Sequence, residues 1–204
     1  MNFVTRLQTY FRAIPMDQRD KHTPVITPLP DHPVNTPPVD QKMSTHRTIL
    51  ACTPTTCYFA TPRPRLHFTV LSTQSSLEAI RENLDTNARG FDSTALPSTP
   101  TEAAAFRAEL ITSRAITAKL DDHPVAAGMF TSPIGGVAEL AGITTLTDYR
   151  GRGIGMATTS ELLRIAFTHG VNTAILYTDN PVAYRIYQRL GFQPVAMIIL
   201  QREQ

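Results

Sequence analysis

The sequence predicts a mixed α/β domain, and three observations carry that prediction. From Arg65 onward, short apolar runs with strand character alternate at a regular pace with segments of helical periodicity. Three glycines in five residues, Gly151, Gly153 and Gly155, stand between a predicted strand and a predicted helix. Ten of the sixteen prolines lie between Pro15 and Pro64, which sets the first third apart from the rest. The expected architecture is a mixed, mostly antiparallel central sheet flanked by helices. It comprises an antiparallel meander followed by a strand–helix–strand crossover, with an N-terminal accessory segment.

The elements follow in order. Phe3, Leu7, Tyr10, Phe11 and Ile14 recur at helical spacing, so Phe3 to Ile14 is a short amphipathic helix. Thr23 to Asp40 alternates proline with β-formers and polar residues, and should be extended, irregular and mostly exposed. His46 to Cys52 and Cys57 to Ala60 are two short strands around Thr53-Pro54-Thr55. Residues 1–65 are too few and too rich in proline for an independent core, so they form an accessory segment docked on a domain of residues 66–204.

That domain opens with the strand Leu66 to Leu71. The helix Ser76 to Gly90 follows, capped by Ser75 or Ser76 and ended by Gly90, and then the helix Thr101 to Ile111. Strands Arg114 to Leu120 and Pro124 to Thr131 flank the turn Asp121-Asp122-His123, and Gly135-Gly136 turns the chain into the strand Val137 to Leu146. Helix Met156 to His169, strand Thr173 to Tyr177, helix Pro181 to Leu190 and strand Val195 to Leu200 complete the pattern.

Composition excludes several classes of function. At 204 residues, 42% hydrophobic and 18% charged, the chain is an ordinary globular protein rather than a disordered or fibrous one. A formal charge of +2 does not point to a nucleic-acid partner. No apolar run approaches the roughly 20 residues that cross a bilayer, and Met1 to Tyr10 lacks the apolar core of a secretory signal. A cytoplasmic location with no membrane partner is expected. Cys52 and Cys57 make neither a disulfide framework nor a zinc site, and no metal is expected.

The glycine-rich stretch Tyr149-Arg150-Gly151-Arg152-Gly153-Ile154-Gly155 is the most informative. Glycines remove the Cβ atoms that keep backbone N–H groups from a ligand, and the helix that follows offers free N–H groups and a positive dipole end. With Arg150 and Arg152 beside them, this is a pyrophosphate cradle; the other reading is a tight strand-to-helix turn whose glycines serve packing only. A nucleoside-triphosphate loop is excluded, because no Gly-Lys-Ser/Thr opens the helix. The dinucleotide fingerprint fails too, since Thr158 stands where its third glycine belongs.

Written R-x-x-G-x-G, as Arg150, Gly153 and Gly155, the loop resembles the acetyl-CoA loop of the GNAT superfamily of N-acyltransferases. A second motif agrees with it. Asn180, Ala183, Tyr187, Gly191 and Phe192 fit N-x-x-A-x-x-x-Y-x-x-x-G-F, which resembles that family's last helix and strand. The order of elements from Leu66 to Leu200 also looks like a whole GNAT domain.

The resemblance implies a sheet splayed at the cofactor-binding strand and acetyl-CoA as co-substrate. The cofactor would be held by Arg150, Gly151, Arg152, Gly153, Ile154, Gly155 and Met156 at the loop and helix start. Ile143, Thr144 and Thr145 would contact it through backbone, and Asn180, Ala183 and Tyr187 along the last helix. It further implies that Tyr187 protonates the departing thiolate; the other reading is a core aromatic with a satisfied hydroxyl. Thr147 stands where many members have proline before the loop.

Residue logic supports these expectations. Asn180 is a good N-cap, Pro181 suits the first helical position, and Gly191 is placed to end the helix. Ala183, Tyr187 and Leu190 share one face, while Tyr184 points elsewhere. Gly142 inside a strand suggests a bulge. Glu139 is the charged residue of that strand, and a carboxylate is the natural base for an ammonium nucleophile. Burial there would raise its pKa toward the useful range; a solvated carboxylate, or one bound to an arginine, is the alternative.

The reading is therefore an acetyl-CoA-dependent N-acetyltransferase acting by direct transfer on a primary amine, a small molecule or a peptide. A non-catalytic acyl-CoA sensor or interaction module on the same fold is the alternative, and a homodimer is compatible with the resemblance. His123, His169, Arg185, Arg189 and Asp179 read more simply as surface or capping residues, and Cys52 and Cys57 as structural.

Overall fold

The computed structural model describes residues 9, 10, 13, 24–28 and 46–200. Of the first expected helix, Thr9, Tyr10 and Ala13 are helical; its other residues, and 29–45, lie outside the described residues. The strands are β1 (Pro24–Pro28), β2 (His46–Cys52), β3 (Leu66–Leu71), β4 (Arg114–Leu120), β5 (His123–Phe130), β6 (Val137–Thr145), β7 (Thr173–Tyr177) and β8 (Gln193–Leu200). The helices are α1 (Leu77–Phe91) and α2 (Pro100–Glu109) between β3 and β4, α3 (Ile154–Thr168) between β6 and β7, and α4 (Pro181–Arg189) between β7 and β8. None of the described helices is long and apolar enough to cross a membrane.

The strands form one sheet in the order β1-β8-β2-β7-β6-β5-β4-β3. β3 to β6 are the expected antiparallel meander, and β6-α3-β7 is the crossover, the one parallel pairing among these strands. Local chemistry explains the joints. Asp121 and Asp122 take φ of 50° and 66°, and Gly135 and Gly136 take 58° and 80°, the left-handed pairs that match strand twist in two-residue hairpins. Ser76 caps α1 by accepting from the N–H of Ala79. Thr99 and Glu102 make a reciprocal capping box at α2, so that helix starts at Pro100 rather than Thr101.

Helices cover both faces. Ala115 of β4 packs with Ile80 of α1, Ala103 of α2 and Leu110. The next residue, Ile116, points the other way, into a core with Leu162, Leu163 and Ala166 of α3. That second core also takes in Leu176, Tyr187 and Phe192, so it reaches the sheet half that carries α4.

Three expectations change. Cys57 to Ala60 is not a strand: the N–H of Tyr58 donates to the carbonyl of Leu190 (3.0 Å) and that of Ala60 to Ser160 Oγ (2.9 Å), so the chain runs from the end of α4 across the middle of α3 instead. β2 consequently pairs with no neighbour in sequence. It is an interior strand, antiparallel to both β7 and β8, with Ile49, Leu50 and Cys52 fully buried. Pro24 to Pro28, expected irregular, is the edge strand β1 along β8, a position where proline's missing N–H costs the ladder nothing.

Candidate active site

β6 builds the site through two irregularities. Ala127 of β5 pairs with Thr144 and Met129 with Ala141, so Gly142 and Ile143 together face Gly128. That is a bulge, and Gly142 takes φ of +59° in it, a conformation that disfavours any side chain. Asn87 of α1 donates through Nδ2 to the carbonyl of Gly142 and holds the bulge in place. On the opposite edge, β6 pairs with β7 only from Val137 to Glu139, against Thr173 to Ile175. Past Glu139 the two strands separate. The gap is a cavity of ≈ 510 Å³, walled by Glu139 to Ile143 of β6, Leu176 to Asn180, and Ala183 and Tyr187 of α4, with Phe91 at its rim.

β6 then runs through a short turn, Thr147–Tyr149, into the glycine loop. Gly151 and Gly153 take φ of 73° and 72°, and α3 begins at Ile154 without a side-chain cap. Among the described residues no hydrogen bond engages the N–H groups from Gly151 to Met156; the first bonded one is Ala157, to the carbonyl of Gly153 (3.1 Å). Six unclaimed donors at a helix dipole's positive end suit a doubly charged pyrophosphate. The loop's arginines are already engaged. Arg150 donates to the carbonyls of Gly90 (2.6 Å) and Thr145 (3.0 Å), stapling the loop to α1 and β6. The Arg152 guanidinium lies over the Tyr149 ring, 5.4 Å from its centroid.

α4 supplies the far wall. The Asn180 Oδ1 accepts from the N–H groups of Val182 (2.9 Å) and Ala183 (3.3 Å), which fixes the helix start at the cavity. Gly191, at φ 89°, ends the helix as expected, and a Cβ there would lie 1.9 Å from the carbonyl oxygen of Thr56. Tyr187 is 9% exposed, packed at 5.8 Å against the ring of Phe192, and its side chain borders the cavity. Burial pushes its phenol up to about 12. Tyr184 is half-buried in the α3 core, away from the cavity.

Glu139 stands where the strands part, half-buried. Its N–H donates to Thr131 Oγ1 (3.0 Å) and its carbonyl accepts from the N–H of Thr131 (2.9 Å). The hydroxyl of Tyr10 is 3.0 Å from the same Oγ1. Burial, and next the Glu139 carboxylate beside it, push the Tyr10 phenol well above its ordinary value, and Tyr177 adds to the effect. The Glu139 carboxylate and the Tyr177 side chain, both lining the cleft, thus act electrostatically on the Tyr10 phenol behind them.

Residues 78–192 match the family described as "Acetyltransferase (GNAT) family". The chain belongs to that family. Among solved structures, this GNAT chain is similar to a GCN5-related N-acetyltransferase from Kribbella flavida, at 26% identity and a TM-score of 0.60, over 76% of this chain and 56% of that one. A tandem GNAT protein from the clavulanic acid biosynthesis pathway aligns at 13% identity and a TM-score of 0.61, over 86% and 61% of the two chains. A GCN5-related N-acetyltransferase from Sphaerobacter thermophilus aligns at 19% and 0.56, over 78% and 51%. The chain therefore spans between half and two-thirds of the length of these three structures. No match to a curated protein sequence was found.

The sequence-predicted residues of this GNAT domain fall in two connected places. Glu139, Ile143, Asn180, Ala183 and Tyr187 line the cleft, while Gly151 to Met156 form the cradle. Thr144 turns its side chain to Gly90 of α1, and Thr145 Oγ1 sits 3.3 Å from where a Cβ of Gly155 would be, linking cleft and cradle. Arg150, expected beside phosphate, spends its guanidinium on two carbonyls. Sequence reasoning missed Asn87 and Tyr10, both of which act on β6 across long sequence separations and carry no local pattern. Among the described residues no group of three or more His, Cys, Asp or Glu side chains could hold a metal ion.

Proposed function

We propose that this GNAT chain is an acetyl-CoA-dependent N-acetyltransferase that moves the acetyl group directly to a primary amine. The observation that carries the reading is the continuity of β6: past Glu139 it parts from β7 to open the cleft, and the same end then runs on into the uncapped glycine cradle. Acetyl-CoA, when bound, supplies an activated acetyl thioester.

The chain's residues have separable tasks. The N–H groups of Gly151 to Met156 fit the pyrophosphate. The β6 edge released past Glu139 offers unpaired backbone groups to the amide-bearing arm of the cofactor, and Ala183 leaves room for a slender chain beside Tyr187. A backbone N–H near Ile143 would steady charge on the thioester oxygen. Glu139 takes the proton of the attacking amine. Tyr187 stays protonated at neutral pH; with its phenol at about 12 and an ordinary thiol near 8.5, full proton transfer is uphill. It therefore serves chiefly by donating a hydrogen bond to the sulfur as charge develops.

Calorimetric titration with acetyl-CoA, with NAD as control, tests the first half. At about 100 times the dissociation constant, binding should raise stability by roughly 2.7 kcal/mol, visible as a melting shift. An amine screen followed by thiol release tests the second. A folded sample that ignores acetyl-CoA overturns the proposal.

A further inference from the structure

A third arginine lies against the glycine loop, and it comes from the N-terminal segment. The Arg63 guanidinium is so close to Gly153 that a Cβ there would lie 2.1 Å from Nη2 and 2.7 Å from Cζ. Gly153 is the residue whose carbonyl starts the hydrogen bonding of α3 and whose neighbours carry the unclaimed N–H groups. Arg150 and Arg152 are engaged elsewhere, whereas among the described residues the Arg63 guanidinium has no hydrogen-bond or ion-pair partner. A full positive charge and a row of backbone donors thus converge on one spot, with no ion pair among the described residues to balance the charge.

The loop presents Arg63 firmly. Pro62 and Pro64 flank it, and both restrict the backbone around it. On one side the N–H of Ala60 is bonded to Ser160 of α3 (2.9 Å); on the other, the N–H of Leu66, first residue of β3, donates to the carbonyl of Arg63 itself (3.3 Å). Arg63 also lies outside residues 78–192, the stretch that matches the family.

We infer that Arg63 completes the cofactor site by binding a phosphate of acetyl-CoA above Gly153, so that the cradle is built from two separate parts of the chain. The inference rests on the acetyl-CoA reading above. The guanidinium would close over a phosphate held from below by the N–H groups of the loop, adding charge-assisted hydrogen bonds to theirs.

Calorimetry on the full chain tests it with acetyl-CoA, CoA and dephospho-CoA as titrants. Arg63→Ala should weaken acetyl-CoA binding by about tenfold, and Arg63→Lys by less. Arg164→Ala, which removes an equal charge from the exposed side of α3, should leave binding unchanged. Melting of the unliganded variants identifies any that fail to fold, and Arg63→Gln, which keeps a polar side chain but removes the charge, then stands in for the alanine variant. A penalty that persists with dephospho-CoA assigns the contact to the pyrophosphate, and one that vanishes assigns it to the 3′-phosphate; both support the inference. Folded Arg63 variants that bind acetyl-CoA as tightly as the wild type overturn it, with the functional reading intact. A wild type that binds no acetyl-CoA overturns both.

Discussion

Gly90 and Thr144 meet across the α1–β6 interface with no room for a methyl group: a Cβ on Gly90 would come within 2.2 Å of Thr144 Oγ1 and 2.6 Å of its Cγ2. The contact brings α1 onto the bulged strand at the residue next to the cleft. It also leaves the Gly90 carbonyl free to accept from Arg150. Gly90→Ala should therefore destabilise the fold by about 1–3 kcal/mol, because the β-branched neighbour cannot retreat. Chemical denaturation measures this, and the added change Thr144→Ala should recover part of the loss through coupling between touching residues.

Asn87 offers a separate handle on the bulge. Its amide holds the Gly142 carbonyl while the neighbouring Asn83, buried, donates to the carbonyl of Ile116 and to Thr117 Oγ1. Asn87→Ala should cost about 1 kcal/mol of stability, yet lower turnover well beyond what that loss explains, because the cleft wall is set by the bulge. Comparing unfolding midpoints with kcat on a reacting amine separates the two effects.

Tyr187→Phe should lower kcat by about a hundredfold while acetyl-CoA affinity stays within about twofold. The pH dependence follows from burial. The folded-state phenol, at about 12, lies above its unfolded value near 10, so its contribution to stability is whole below pH 10 and is lost as pH rises toward 12. The wild type should accordingly lose more stability than Tyr187→Phe across that interval, as read by denaturation at a series of pH values. Equal losses would rule out the buried protonated phenol.

Tyr10 ties the N-terminal segment to β6 through Thr131, whose N–H donates to the Glu139 carbonyl and whose Oγ1 accepts from the Glu139 N–H. Tyr10→Phe should cost about 1 kcal/mol. If Glu139 is the base proposed above, the substitution should also change kcat with a reacting amine, since the strand that carries Glu139 loses a tether. Steady-state kinetics on both proteins is the check, and an unchanged kcat would uncouple Tyr10 from Glu139.

Burial pushes the Cys52 thiol up to about 12, and Cys57 is raised as well. At pH 8 neither should carry much thiolate, so native alkylation should be slow at both and slowest at the fully buried Cys52. Mass spectrometry before and after unfolding reads this directly.

The cradle and the α4 motif were legible in the sequence because their chemistry demands particular residue types at fixed, local spacing. Gly151 and Gly153 could be named from that spacing, and Asn180, Ala183 and Tyr187 from the resemblance of theirs to the GNAT motif. What escaped has no local signature. Gly90 looked like a helix terminator, but it lies within α1, and what it provides is space for Thr144. Cys57 to Ala60 has strand-forming side chains, yet two of its N–H groups find the end of α4 and a side chain of α3. Pro24 and Pro28 argued against a strand because their place at the sheet edge is a property of topology, not of composition. Asn87, Tyr10 and Arg63 act only once distant segments have met.

The interior placement of β2 makes this a protein of high contact order. Ile49 pairs with Tyr177 and with Ala196, so those ladders each close a loop longer than half the chain. Until they form, β7 and β8 have no partner between them, and a row of strand-forming residues stands open to other chains. Assembly of this half of the sheet should be slow and should come last, leaving the β3–β6 meander to fold first on short local pairings. Refolding yield should then fall with rising protein concentration, set by how quickly β2 is captured between β7 and β8.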